Sequence, residues 1–433
     1  MNSILEPELL QKCKLNLGVW RKFADSVEIH SIIQEQIGVT LKDNQLLSVN
    51  KSERGSSIRL VRNNQEYNLY YPTTDLIEVN NITNDYKENY PTYCARNFVK
   101  DNIQIISHPK WIEGNSNAIE VLENKANEIR KAVLKLDKSI KITDFQLSHI
   151  AKEICIVNTS NTKAYIYNPE FVFEIEIQKA VNGETILGSS YIYERDLDDI
   201  SIEKILSDVS FPLQYDNFKN LDKGNIGEQV VFGHPISSSV LENIVYYDLM
   251  SKPIVNQKTS IKLVDNPLDS KSVNYYPFDD FGEKNKKVNL YGSIDIDDKE
   301  SVNSYYHISD RNCHRDIATY PKLHPTNAML MGKTMLKKDL YNNIEKGIYC
   351  HLIVGNHNCT GKIVEGTVFN GFEICNGKFK NPLLPFKIRF NKEDFLDKIS
   401  MLGDDYQYLR PFPWWRPLVT YAPTIVTSNL KML

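Results

Sequence analysis

Residues 171–193 constrain the fold more than any other stretch. Phe171, Phe173, Ile175 and Ile177 alternate with Val172, Glu174, Glu176 and Gln178; Asn182-Gly183 follows, and Leu187 to Tyr193 returns. Strand side chains point to opposite faces with a period of two, so this run lays one apolar face on a core and turns its acids away from it. Asn-Gly takes positive φ readily, which fixes a tight hairpin and its register. A long antiparallel hairpin needs a sheet around it.

A meander is expected over 25–72. Val27, Ile29 and Ile32 suggest one strand, and Ile37, Val39 and Leu41 another. Asp43-Asn44 then turns into Leu46 to Val49, and Ile58 to Val61 turns at Asn63-Asn64 into Tyr67 to Tyr71. From Val121 the period changes. Leu122, Ala126, Ile129, Val133 and Leu136 recur every three or four residues with charges between, the pattern of an amphipathic helix on a sheet. A short helix follows at Ile202 to Leu206, and the Asn/Asp/Lys/Gly-rich segment Tyr215 to Gly227 reads as a linker.

Length supports such a division. A chain of 433 residues exceeds one ordinary core. The expectation is an α+β protein of two domains, 1–220 and 221–433, each with a largely antiparallel or mixed sheet and packed helices. The formal net charge of −4 is spread among interspersed acids and bases, which gives no footprint for nucleic acid. Met1 to Lys14 lacks a signal-peptide apolar run, and no later stretch approaches the ~20 apolar residues that span a bilayer. Seven cysteines at scattered positions (13, 94, 155, 313, 350, 359 and 375) suit a reduced, cytoplasmic protein.

The second half opens on a strand, Val230 to Phe232, and a turn at Gly233-His234-Pro235, with His234 read as a turn residue. Ser237-Ser238-Ser239 offers an N-cap for a helix whose apolar stripe is Val240, Leu241, Ile244, Val245 and Leu249. Further helices are expected from Leu336 to Lys346 and from Asn391, the latter carrying Phe395, Leu396 and Ile399 inward. Strands are expected at Ile348 to Val354, Lys362 to Phe369, Phe386 to Phe390 and Thr424 to Leu430.

Candidate chemistry is sparse. Cys350-His351 and His357-Asn358-Cys359, with Cys313-His314 upstream, are the densest group of soft ligands; a weak metal site would use His351, His357 and Cys359, although the spacing matches no compact zinc pattern. Cys313 beside His314 is a nucleophilic pair in composition only, since chain neighbours rarely have catalytic geometry. Tyr275, Tyr276 and Phe278, and Trp414 and Trp415, lie in Pro-flanked loops. They are candidates for a peptide or partner surface, or else for caps over the core.

Several short elements, in order along the chain, resemble the TldD/PmbA (TldD/TldE, modulator of DNA gyrase) family. Ile156 to Asn161 is similar to a "v-N-S-x-G" turn with Asn161 in place of glycine, and Val264-Asp265-Asn266-Pro267 to a "D-D-P" element. Phe278 to Gly282 resembles an "f-D-x-E-G" loop with Phe281 replacing the glutamate, and His324-Pro325-Thr326-Asn327 a "P-x-x-N". Gly347 to Cys350 resembles a "G-x-y-v" strand, Met401 to Asp405 a "v-G-x-D", and Ala422-Pro423-Thr424-Ile425 an "a-P-x-i" strand.

The resemblance implies two domains, the second equivalent to the family's metalloprotease domain. TldD-type members carry H-E-x-x-x-H on the first helix of that domain, with a cysteine near the C-terminus, and bind zinc. Carried over, the first histidine falls on Leu241, the glutamate on Glu242 and the second histidine on Tyr246, and Arg410 to Pro417 contains no thiol. The pattern is that of the TldE/PmbA type. This implies no cofactor in this chain, zinc in a TldD-like partner subunit and an extended peptide as substrate, and it leaves room for a homodimer when the chain is alone. The alternatives are a metallopeptidase with a non-standard metal site and a non-enzymatic peptide-binding scaffold.

Overall fold

In the computed structural model the described residues are 6–63, 65–75, 105–107, 117–215, 218–221, 229–245, 254–255, 260–292, 313–314, 322–323, 325–354, 363–410 and 418–430. Strand makes up 51% and helix 22% of the described residues, arranged as an α+β fold.

The first half is one seven-stranded sheet. β1 (Ser26–Lys42), β2 (Gln45–Arg62), β3 (Gln65–Tyr71), β4 (Ile105–Ser107), β5 (Lys141–Asn158), β6 (Lys163–Val181) and β7 (Glu184–Glu194) run in the order β3-β2-β1-β5-β6-β4, with β7 also on β6. The expected meander is longer and simpler than its hydrophobic pattern suggests. Four short pieces are two strands in continuous register from Ser26↔Val61 to Lys42↔Gln45. The polar run Gln34-Glu35-Gln36 does not interrupt the ladder, because backbone pairing tolerates polar side chains on either face. Asp43 and Asn44 turn with φ of 50° and 63°, and Asn182-Gly183 with 52° and 86°, as their residue types demand.

Three helices cover one face of this sheet: α1 (Glu8–Trp20), α2 (Ala118–Leu134) and α3 (Ile202–Ser210). α2 and α3 match the expected helices, except that Leu136, expected on the stripe of α2, falls past its end and is exposed. α1 was not expected, because its apolar residues are interleaved with Lys12, Lys14 and Asn16, and packing rather than periodicity holds it. Along β6, Tyr165 and Tyr167 face α1, while Ala164 and Ile166 face Tyr276 and Phe278 of the second half. The hairpin's second face is therefore not simply solvated. Glu170 and Val172 are buried on it against the second half.

The second half contains β8 (Gln229–Phe232), α4 (His234–Ile244), β9 (Ile254–Val255), β10 (Lys262–Asp265), β11 (Val288–Gly292), β12 (Cys313–His314), β13 (Lys322–Leu323) and β14 (Asn327–Met331). α5 (Lys337–Asn342), β15 (Lys346–Val354), β16 (Ile363–Cys375), β17 (Lys378–Leu383), β18 (Phe386–Asn391), α6 (Lys392–Asp397), β19 (Ile399–Leu402), β20 (Gln407–Leu409), β21 (Val419–Ala422) and β22 (Ile425–Ser428) follow. One mixed sheet has the order β20-β21-β14-β10-β11-β9. Another runs β17-β16-β15-β8-β22-β19, with β18 also on β16, and β12 pairs β13 separately. α4 packs against strands of both larger sheets, β21 and β20 on one side and β15 and β8 on the other. Ile399, expected on the last helix, instead opens β19.

Candidate functional site

The helix that bears on function begins earlier than its serine run suggests. Gly233 is the N-cap, His234 is its first residue, and Pro235 occupies the first turn, where its missing N–H costs nothing. Ser237 is thus inside the helix, its hydroxyl within 2.9 Å of the His234 carbonyl and 2.7 Å of the Pro423 carbonyl. The expectations that serine capped this helix and that His234 was a turn residue are corrected by this geometry. A glycine is needed at 233, since a Cβ there would meet the Tyr349 hydroxyl at 2.5 Å.

α4 has no solvent side. Pro235 and Ser239 are half-buried, and every other residue from His234 to Ile244 is buried. Leu241 is 0% exposed and Glu242 3%. Val240, Leu241, Ile244 and Val245 join Phe232, Leu263, Leu330 and Ile425 in one core cluster. Tyr246 and Leu249 lie outside the described residues. A hydrolytic zinc needs about three N, S or O donors and an open position for water. Leucine offers no lone pair, and the space around it is filled by hydrocarbon. The residues at Leu241 and Glu242 do not fit a zinc centre.

Around the first turn of α4 lies a polar cluster that joins the halves. His234 Nε2 is 3.3 Å from the Gln407 carbonyl, and burial together with the nearby Lys204 charge pushes its pKa down to about 3. Lys204 of α3 donates to Gln407 Oε1 at 2.6 Å, and Ser190 donates to Asp208 at 2.8 Å. Lys337 lies 2.8 Å from Asp405, whose carboxylate also accepts from the Thr424 amide at 2.8 Å and its hydroxyl at 2.7 Å. Burial pushes the Asp405 carboxyl up, but Lys337 and the Thr424 bonds outweigh it and hold it below its usual value. Deeper in, His351 Nδ1 is 3.2 Å from the Tyr349 hydroxyl, and burial brings its pKa down to about 4. With pKa values this far below neutrality both imidazoles are weak bases, and the groups they touch, a carbonyl and a phenol, are not a serine or cysteine nucleophile. The cluster holds elements in place.

The sequence-predicted site residues separate rather than converge. Tyr276 and Phe278 are 2% and 1% exposed and pack on Ile32, Ile154, Ile156 and Ile166, with Tyr275 half-buried beside them. Tyr276 and Phe278 thus take the core-capping alternative and cover the chain's own first sheet, while Tyr275 stays partly exposed. Trp414 and Trp415 lie outside the described residues, as do His357 and Cys359. His351 is on β15 and buried; Cys313 and His314 form β12, where the backbone alone is described. Among the described residues no group of three or more His, Cys, Asp or Glu is placed to hold a metal ion.

The motif-like pieces prove to be clips. Asp265 Oδ1 accepts from the Thr326 and Asn327 amides, each at 2.9 Å, and Ser272 bonds Asn327 Oδ1 at 2.7 Å. Asn158 Oδ1 closes its turn through the Ser160 and Thr162 amides at 2.9 and 3.0 Å, and Asn161 takes the glycine-like φ of 77°. Asp279 Oδ1 accepts from the Phe281 and Glu283 amides, both at 3.0 Å. That loop meets the Asn158 turn: Gly282 has φ 80°, and a Cβ there would lie 2.9 Å from Thr162 Cγ2. The residues that knit the halves together, including Arg410, Glu170, Lys204 and Gln407, carry no local signal. Their partners are up to 240 residues away.

Residues 231–433 match the family model of the PmbA/TldA metallopeptidase C-terminal domain. No curated protein matches the chain by sequence. Among solved structures, TldE from Thermococcus kodakarensis superposes with a TM-score of 0.76 at 17% identity, covering 97% of this chain and 99% of its own. A protein named as a modulator of a DNA gyrase from Thermotoga maritima gives 0.74 at 14% identity, with 97% and 99% coverage. One from Bacteroides thetaiotaomicron, similarly named, gives 0.68 at 14%, with 98% of each chain covered. These likenesses show the shared fold over almost the whole length. Residues 231–433, which carry α4 and the core packed around it, therefore form a C-terminal domain of the PmbA/TldD family.

Proposed function

We propose that this chain is a TldE/PmbA-like, non-catalytic subunit that works with a zinc-bearing TldD-like metallopeptidase subunit on unfolded or leader peptides. The observation that carries this reading is the burial of α4: the positions where a TldD-type chain presents ligands are Leu241, wholly buried in hydrocarbon, and Glu242, buried beside it. A general base requires an activated water within reach; among the described residues of α4, Leu241 has no lone pair to offer a metal and Glu242 is buried, which supports this reading. The division at residues 220 and 221 is part of the reading, with the second domain supplying wall and partner contacts. An extended peptide bound as an added strand gains main-chain hydrogen bonds and tolerates varied sequence. In the described residues no helix is long and apolar enough to cross a membrane.

Affinity capture of the tagged chain from its native host tests the partnership. Co-purification of an H-E-x-x-x-H-bearing chain in stoichiometric amount is expected. Recovery of the chain alone or as a self-dimer, from cells that express such a relative, contradicts it.

A further inference from the structure

The first half contains a pair of thiols with no part in that reading. Cys13 lies mid-helix on α1, and Cys155 lies on β5, opposite Ser31 of β1 and Tyr165 of β6. Both are 0% exposed and belong to one cluster with Leu9, Leu10, Val27, Ile29 and Val157. They lie on either side of the seam where α1 packs on β5, and neither is in a disulfide. Two thiols buried in one cluster across a packed helix–sheet seam are placed to bond when the helix shifts.

We propose that Cys13 and Cys155 form a reversible disulfide under peroxide, latching α1 to the sheet. One thiolate attacks a peroxide oxygen, the O–O bond breaks, and the leaving hydroxide takes a proton to become water. The second sulfur then attacks the sulfenic acid, the S–S bond forms, the S–O bond breaks, and a second water leaves. Two thiols lose two electrons and two protons, and one peroxide is reduced to two waters. A thiol reductant reverses the bond by exchange.

The setting makes the reaction gated. Burial pushes the Cys155 thiol well up, so thiolate is scarce while the helix is seated. α1 has no side-chain N-cap bond, and it is tied to the segment after β3 by Lys12 to Asp75 at 2.9 Å and by the buried Asn16 to the Asp75 carbonyl at 3.0 Å. Lifting this helix admits peroxide, so loosening the ties accelerates oxidation. The resulting loop is long, which places the stabilisation mainly in the restricted unfolded chain.

Peptide mapping of the peroxide-treated full chain, alkylated in denaturant and kept unreduced, tests the proposal without any variant. A linked peptide pair carrying Cys13 and Cys155 is expected, lost on dithiothreitol, with a thermal midpoint several degrees above that of the reduced chain. Cys13→Ser and Cys155→Ser each abolish the link, and Lys12→Ala speeds its formation several-fold. The proposal is overturned if both cysteines remain alkylatable at peroxide doses that oxidise surface methionine. It is equally overturned if they reach sulfinic acid singly or link to other cysteines.

Discussion

Arg410 Nη1 sits 2.6 Å from Glu170 Oε1, with both side chains at most 8% exposed, and so fastens the residue after β20 of the second half to β6 of the first. Tyr193 lies beside this pair, its hydroxyl 2.6 Å from Glu174 and 3.2 Å from the Arg410 carbonyl. Removing one member strands a charge in a dry interface. Arg410→Ala is therefore expected to lower stability by about 3–5 kcal/mol. The double variant Arg410→Met, Glu170→Gln recovers most of that loss, and a urea-denaturation double-mutant cycle measures the coupling.

Acid sensitivity follows from the buried imidazoles. Burial brings His351 and His149 each from 6.5 to about 4. Between those values the unfolded chain binds protons that the folded chain refuses. Stability from these groups is thus complete above about pH 6.5 and falls as pH drops towards 4, by roughly 3 kcal/mol for a fully buried histidine. His351→Gln is expected to make the unfolding free energy less steep in pH across that window.

Asn161 and Gly282 test the clip between the halves. Asn161 holds φ 77° and is exposed, so Asn161→Gly is expected to be neutral and Asn161→Ala to cost about 1 kcal/mol. Gly282→Ala adds a contact with Thr162 Cγ2 at 2.9 Å to the same positive-φ strain, and is expected to cost more than Asn161→Ala. Chemical denaturation of the three variants gives the order.

Grafting ligands back should not restore a metal site. Leu241→His puts an imidazole in the cluster around Phe232 and Leu263, so destabilisation by about 2–5 kcal/mol is expected. Tyr246→His added to it gives no stoichiometric zinc by elemental analysis.

What the sequence revealed was what is local. The period-two run at 171–178, the Asn-Gly turn and the α2 stripe each encode their own geometry within a few residues, and each holds in the structure. The length of β1 and β2 was hidden because Gln34 to Gln36 look like a break, although the ladder depends on backbone groups. α1 was hidden because contacts with β5, more than a hundred residues away, hold it. For the candidate site, the residue types at 241 and 242 were legible. Their burial on both sides was not, because it depends on two sheets closing over α4. The aromatics at 276 and 278 misled for the same reason: a large ring in a loop looks alike whether it meets a partner or the other half of its own chain.

Peptide hydrolysis by the purified chain bears most directly on the central claim. Assayed alone on unstructured peptides, with and without added zinc, the chain is expected to show no turnover above buffer. Mixing it with the zinc-bearing relative from the same host is expected to produce turnover that a chelator removes. Chelator-sensitive hydrolysis by the chain alone, co-eluting with it through purification, would contradict the account.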